Sequence, residues 1–150
     1  MKTNLFVAAL LLMGLGSYSK NAEMQPTAGS PTKIVGLTEP TKTIDATNQK
    51  LLAQGTFSNG VHPTSCTVKL YESGTVRTLL FSDFKTGAGP DLRIWLAETK
   101  QAQNYVEVSS KLAAGTFFVE LPTTADPTKQ MQVLIWCKQF SVLFGSAKLL

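Results

Sequence analysis

Cysteine and histidine are scarce in this chain, with two of the first and one of the second among 150 residues. That scarcity excludes the structural zinc sites built from repeated Cys and His pairs. No Cys-x-x-Cys-His stretch is present to attach a haem covalently. Charge is thin as well, at 16% of residues with a formal net charge of +4. Residues 1–50 carry five Lys against three acids and residues 51–150 nine Lys or Arg against seven, so neither part is a basic arm. The cations of the second part stand singly and do not cluster with aromatics, so the footprint of a nucleic-acid binder is missing. Past residue 15 there is no long hydrophobic run, no apolar stripe of period 3.6 and no internal repeat. Nucleophile-elbow and P-loop patterns are absent too. What remains is a chain long enough for one ordinary domain with a real core.

The one apolar run, Leu5 to Leu15, follows Lys2 and leads into Gly16-Ser17-Tyr18-Ser19. Charged, apolar and small-polar regions in that order read as a bacterial secretory signal over 1–19, with Ser17 and Ser19 at the small-residue positions. The run is too short to span a bilayer comfortably. Leu15-Gly16-Ser17 resembles the approach to a lipid-accepting cysteine, but Tyr18 stands where the thiol would be. The expectation is a secreted, periplasmic or envelope-associated protein with no transmembrane span in its mature chain. Residues 20–50, rich in Thr, Pro, Ser, Asn, Gln and Lys, cannot bury enough apolar surface to offset their ordering entropy, and read as a flexible tether.

From Leu51 the character changes: eleven of the thirteen aromatics lie in 51–150. Short β-branched and aromatic runs recur between turn residues, which predicts an all-β domain, an antiparallel sandwich or partly closed barrel of about eight short strands. The runs are 53–58, 65–72, 75–81, 92–97, 105–109, 116–121, 132–138 and 141–144. Ser73-Gly74 reads as a tight hairpin, Gly87-Ala88-Gly89-Pro90-Asp91 as a longer connection, and 123–130, with Asp126-Pro127, as a loop holding a helical turn.

Alternation along 131–138 puts Met131, Val133, Ile135 and Cys137 on one face, opposite Gln132, Leu134, Trp136 and Lys138. The same count places Thr64, Cys66, Val68 and Leu70 together. Both cysteines therefore point inward. In an exported domain with no other thiols, a Cys66–Cys137 bond is one reading, adding about 4 kcal/mol by the chain-entropy relation. Two unpaired buried thiols acting as small hydrophobes are the other. A reactive thiolate wants electropositive, partly exposed surroundings. Val133 and Ile135 do not supply them, and Lys138 lies on the opposite face.

His62, between Gly60 and Pro63, reads first as a turn residue. A triad with Ser65 and Asp83 or Asp91 lacks a nucleophile elbow, and a metal site with the cysteines or acids lacks the paired spacing of structural zinc sites. Met131 reads as core rather than as a haem ligand, and Asp83 and Asp91 as turn residues rather than calcium ligands. Gly87-Ala88-Gly89 has no helix start or lysine to make it a phosphate cradle. No metal or cofactor is assigned.

The order Gly89-Pro90-Asp91-Leu92-Arg93-Ile94-Trp95-Leu96, then Val133 to Gly145 and Ala147-Lys148-Leu149, resembles the DM-thirteen electron-transfer domain. Gly55-Thr56-Phe57 and His62-Pro63-Thr64-Ser65 fit it as well. The resemblance spans about residues 51–150 and implies an extracellular β-sandwich-like domain, often found beside haem-binding DOMON domains. It further implies a redox-active cysteine in the last strand region, here Cys137, with Gly89, Pro90, Asp91, Trp136 and Phe140 as motif residues. Cys66 departs from the pattern, which usually has glycine there, and a Cys66–Cys137 bond would turn a single-thiol mechanism into a dithiol couple. Two functions follow as expectations. One is an exported electron-transfer module working with an unknown redox or envelope protein, not a conventional enzyme. The other is a non-catalytic envelope interaction domain whose cysteines are structural.

Overall fold

The computed structural model describes residues 34–150. The expected signal at 1–19, with Tyr18, and the first part of the tether, 20–33, lie outside the described residues. The strands are β1 (Ile34–Val35), β2 (Thr43–Ile44), β3 (Lys50–Thr56), β4 (Ser58–Asn59), β5 (Thr64–Ser73) and β6 (Val76–Thr86). They continue with β7 (Leu92–Ala97), β8 (Val106–Ser109), β9 (Gly115–Glu120), β10 (Gln132–Cys137) and β11 (Val142–Lys148). A five-stranded sheet, β4-β11-β10-β7-β8, faces a four-stranded sheet, β3-β5-β6-β9, and a separate pair, β1-β2, completes the set. All strand pairings are antiparallel, and the fold is an open sandwich rather than a barrel.

The described residues form eleven strands where about eight were expected, and the three additions have two causes. The expected run 53–58 divides at Phe57. That residue donates its backbone N–H to the Cys66 carbonyl at 2.9 Å, after which the chain leaves β5 and pairs with β11 as β4. The strand changes sheets at a corner, as orthogonal sandwich edges do. The other two lie in the segment composition assigns to the tether. Ile34, Ile44 and Ala46 pack on the outer face of the four-stranded sheet against Tyr71, Leu80 and Phe118. Leu37 donates to the Phe118 carbonyl at 2.8 Å. Residues 34–46 thus lie along the sheet as an arm, because three scattered apolar residues find a ready apolar surface.

Strand β6 runs past the expected end at Phe81, carried by an irregularity at which Asp83 takes a positive φ of 54°. The β5–β6 hairpin closes through Gly74-Thr75, one residue later than expected, and Gly74 has φ +61°. That value suits the first central position of a type II′ turn, where glycine costs nothing sterically. The main core lies between the sheets and includes Val68, Leu79, Phe81, Ile94, Val133 and Ile135. Strand β10 is central in its sheet, and its Leu134 and Trp136 pack with Trp95 and Ala97 on the outer face. Burial on both faces explains why this strand reads as a nearly continuous apolar run.

Candidate functional site

Cys137 ends β10 opposite Leu92 of β7 and Val142 of β11. It is 0% exposed and belongs to the inter-sheet core with Val133 and Ile135, as alternation predicts. Cys66 belongs to the same core, from β5 in the facing sheet, and is 6% exposed. Both are free thiols, so the bond that the sequence permits is not formed. Two physical facts favour that outcome. Facing sheets sit about 10 Å apart, whereas a disulfide wants Cα atoms within about 7 Å. The Cys66 sulfur is also engaged within its own sheet, donating to the Thr67 carbonyl at 3.1 Å.

The two thiols differ in surroundings. Cys66 forms part of a shallow pocket of about 320 Å³ with Thr56, Phe57, Ser82, Asp83 and Lys85. Burial pushes its pKa up to about 12; the Ser82 backbone N–H opposes that shift and the Asp83 charge adds to it. At neutral pH Cys66 is a protonated thiol. Cys137 has no such opening. Its cross-strand neighbour Leu92, with Phe84 and Leu112, lines an apolar cleft of about 420 Å³ at the end of the sandwich, completed by Gly87-Ala88-Gly89. A side chain at Gly89 would run into Leu92 and Phe144, so this connection lies tight against the layer that covers Cys137.

The remaining motif residues lie mostly on the outer face of the five-stranded sheet. Pro90 and Asp91 form the turn into β7. Asp91 accepts from Arg93 Nε, and Arg93 Nη1 reaches Glu107 Oε1 at 3.0 Å. Glu107 Oε2 in turn accepts from Trp95 Nε1 at 3.3 Å. Trp95 stacks on Tyr105 at a ring separation of 3.8 Å and on Trp136 at 5.3 Å, with interplanar angles of 15° and 19°. Sequence reasoning placed Trp136 outward but missed Tyr105 and Glu107. Their partner is set by the 98–105 connection, pinned by Gln130, whose Nε2 donates to the Asn104 carbonyl while its Oε1 accepts from Asp126 N–H. Phe140, at the tip of the β10–β11 hairpin, is 61% exposed.

Several weaker candidates separate in space. His62 packs its ring against Phe144 at 4.2 Å with a tilt of 40°, and Asp91 is committed to Arg93. Asp83 holds a backbone irregularity, its N–H donating to Thr116 Oγ1 at 3.2 Å. Met131, expected in the core, is 38% exposed, since it lies just before the start of β10 at Gln132. Among the described residues no three His, Cys, Asp or Glu side chains gather as a metal site would require. Nor is any helix there long and apolar enough to cross a membrane.

An antiparallel sandwich with one enclosed thiol, one pocket-edge thiol and a stacked Tyr-Trp-Trp face belongs to the class of small all-β domains whose oxidisable side chains are held by the scaffold. More particularly, the chain belongs to the electron transfer DM13 family, whose match covers residues 56–149. No curated protein and no solved structure was found to match it. The family's description points to a redox or electron-transfer module.

Proposed function

We propose that this protein is an exported electron-transfer module of the bacterial envelope in which Cys137 is the redox group. Family membership over 56–149 carries the reading. The position of Cys137 sharpens it: a thiol with 0% exposure exchanges electrons through the surrounding protein rather than by direct attack on a substrate. Cys66 is the accessory thiol, held protonated and bound to its own sheet. Voltammetry of the adsorbed mature protein tests this. A redox wave lost in Cys137→Ala and kept in Cys66→Ala is expected; a wave unchanged by Cys137→Ala overturns the assignment.

Export rests on Lys2, the Leu5–Leu15 run and Ser17 and Ser19. Mass spectrometry of the protein from its native cell is expected to find a mature N-terminus at Lys20, and a chain that keeps residues 1–19 in the cytoplasm refutes export. A second reading has the apolar setting of both cysteines in its favour: the domain is an envelope interaction module and the thiols are core fillers. It predicts no cysteine-dependent wave in the same experiment.

A further inference from the structure

We infer that Tyr105, Trp95 and Trp136 form the electron route between the protein surface and β10, with Glu107 as the proton acceptor of Trp95. The inference rests on the electron-transfer reading of the domain but not on which side chain is the redox group. Tyrosine and tryptophan lose single electrons far more readily than phenylalanine, so the Phe57, Phe81, Phe84 and Phe117 cluster of the core is a poor route. Electron exchange between rings falls steeply with separation. The outer-face rings follow one another at 3.8 and 5.3 Å in nearly parallel planes, so each ring lies directly against the next. One end of the column, Tyr105, is 46% exposed and open to a partner, while Trp95 is 4% exposed. The other end, Trp136, immediately precedes Cys137 in β10.

The chemistry balances without a bound cofactor. A one-electron acceptor, an oxidised metal centre or organic radical of a partner protein, takes one electron at the Tyr105 end. Trp95 supplies it, and the indole N–H proton, acidified by the loss, passes to the Glu107 carboxylate 3.3 Å away. The neutral indolyl radical is refilled by one electron from Trp136, and Glu107 returns the proton. A one-electron donor, a reduced metal centre or a hydroquinone of a second partner, then restores Trp136. The net change is one electron from donor to acceptor, with the column unaltered. Arg93 holds Glu107 in place through its 3.0 Å contact.

The chain has only two tryptophans, which makes the test direct. A ruthenium polypyridyl photo-oxidant is attached through Gln103→Cys, on the exposed stretch before Tyr105, in the mature protein; Cys66 and Cys137 are too buried to compete for the label. After flash oxidation, an indolyl radical is expected in the parent and in Trp136→Phe but not in Trp95→Phe, where Trp136 is the sole indole. Glu107→Gln is expected to give the protonated cation radical in place of the neutral one. The same label at Val76→Cys, exposed on the other sheet, is expected to give no indolyl radical, a comparison that needs no change to the column. Equal radical yields from both label positions, or an undiminished yield in Trp95→Phe, overturn the route, and a neutral radical in Glu107→Gln overturns the proton acceptor. The same experiment on Cys137→Ala separates the two readings. An unchanged column beside a lost voltammetric wave supports both, and an unchanged column with no wave even in the parent removes the cysteine assignment alone.

Discussion

Two sulfurs in one core are made unequal by what touches them. Cys66 sits where an irregularity opens the sheet beside Ser82 and Asp83, and its pKa is raised to about 12 by burial, with Ser82 N–H opposing and Asp83 adding. A thiol whose folded pKa lies above its unfolded one contributes stability fully present below about pH 9, the ordinary thiol value, and lost as pH rises toward about 12. The parent is therefore expected to lose stability between about pH 8.5 and 10.5 faster than Cys66→Ala. The excess is at most about 1.4 kcal/mol per pH unit, and urea midpoints of the two proteins across that range measure it. Cys137 presents a different case, since its surroundings are apolar on every side. Replacing it with alanine removes one buried atom and leaves a small void, costing about 1–3 kcal/mol. Serine is expected to cost more, by about 1–3 kcal/mol, because its hydroxyl would be buried without a partner. Equal urea midpoints for Cys137→Ala and Cys137→Ser would mean that the site is wetter than its 0% exposure implies.

At the scale of strands, what the sequence revealed was whatever one strand determines by itself. β7 spans Leu92–Ala97 as the pattern predicts, and β10 differs by one residue at its end, because alternating or continuous apolar runs bounded by turn residues are local signals. The inward placement of Cys66 and Cys137 follows from the same alternation. The corner at Phe57 is not local: β3 and β4 read as one strand, and only pairing with two different sheets divides them. The Tyr105–Trp95 stack was hidden for a similar reason, since the path of the 98–105 connection decides it. β4 is short and edge-placed, held to β11 by Gly60 N–H to the Phe144 carbonyl at 2.8 Å and Val61 N–H to the Leu143 carbonyl at 2.9 Å. A Cβ at Gly60 would lie 2.1 Å from the Leu143 carbonyl oxygen, and backbone there cannot swing aside. Gly60→Ala is expected to cost about 1–3 kcal/mol or more. In hydrogen exchange, the loss should appear as early opening of Gly60 and Val61 while β10 stays protected.

The whole molecule is layered more deeply than a bare two-sheet sandwich, because both outer faces carry apolar covers. Trp95, Ala97 and Leu134 lie under the 98–105 connection and Trp136 on one side; Tyr71, Leu80 and Phe118 lie under the β1–β2 arm on the other. The arm from Ile34 therefore packs with the sandwich, although the family match begins at residue 56 and composition places the change near Leu51. Lys42 ties the arm to Glu120 of β9 at 3.2 Å and pairs within the arm with Glu39 at 2.9 Å, but these pairs are exposed, and such contacts contribute about 0–1 kcal/mol. Apolar cover carries most of the attachment. A chain beginning at Leu51 leaves the faces of Phe118, Leu80 and Tyr71 in water, and partial exposure of three such side chains costs on the order of 3 kcal/mol. It is expected to unfold at lower urea than a chain beginning at Pro31 and to bind an apolar dye while still folded. Ile44→Asp in the chain from Pro31 makes the same point without truncation, since it places a charge against Tyr71, Leu80 and Phe118. It should lower the midpoint in the same direction, and more so than Lys42→Ala. Equal midpoints for the two chain lengths, with Ile44→Asp silent, would show that the arm rests on the sheet without stabilising it.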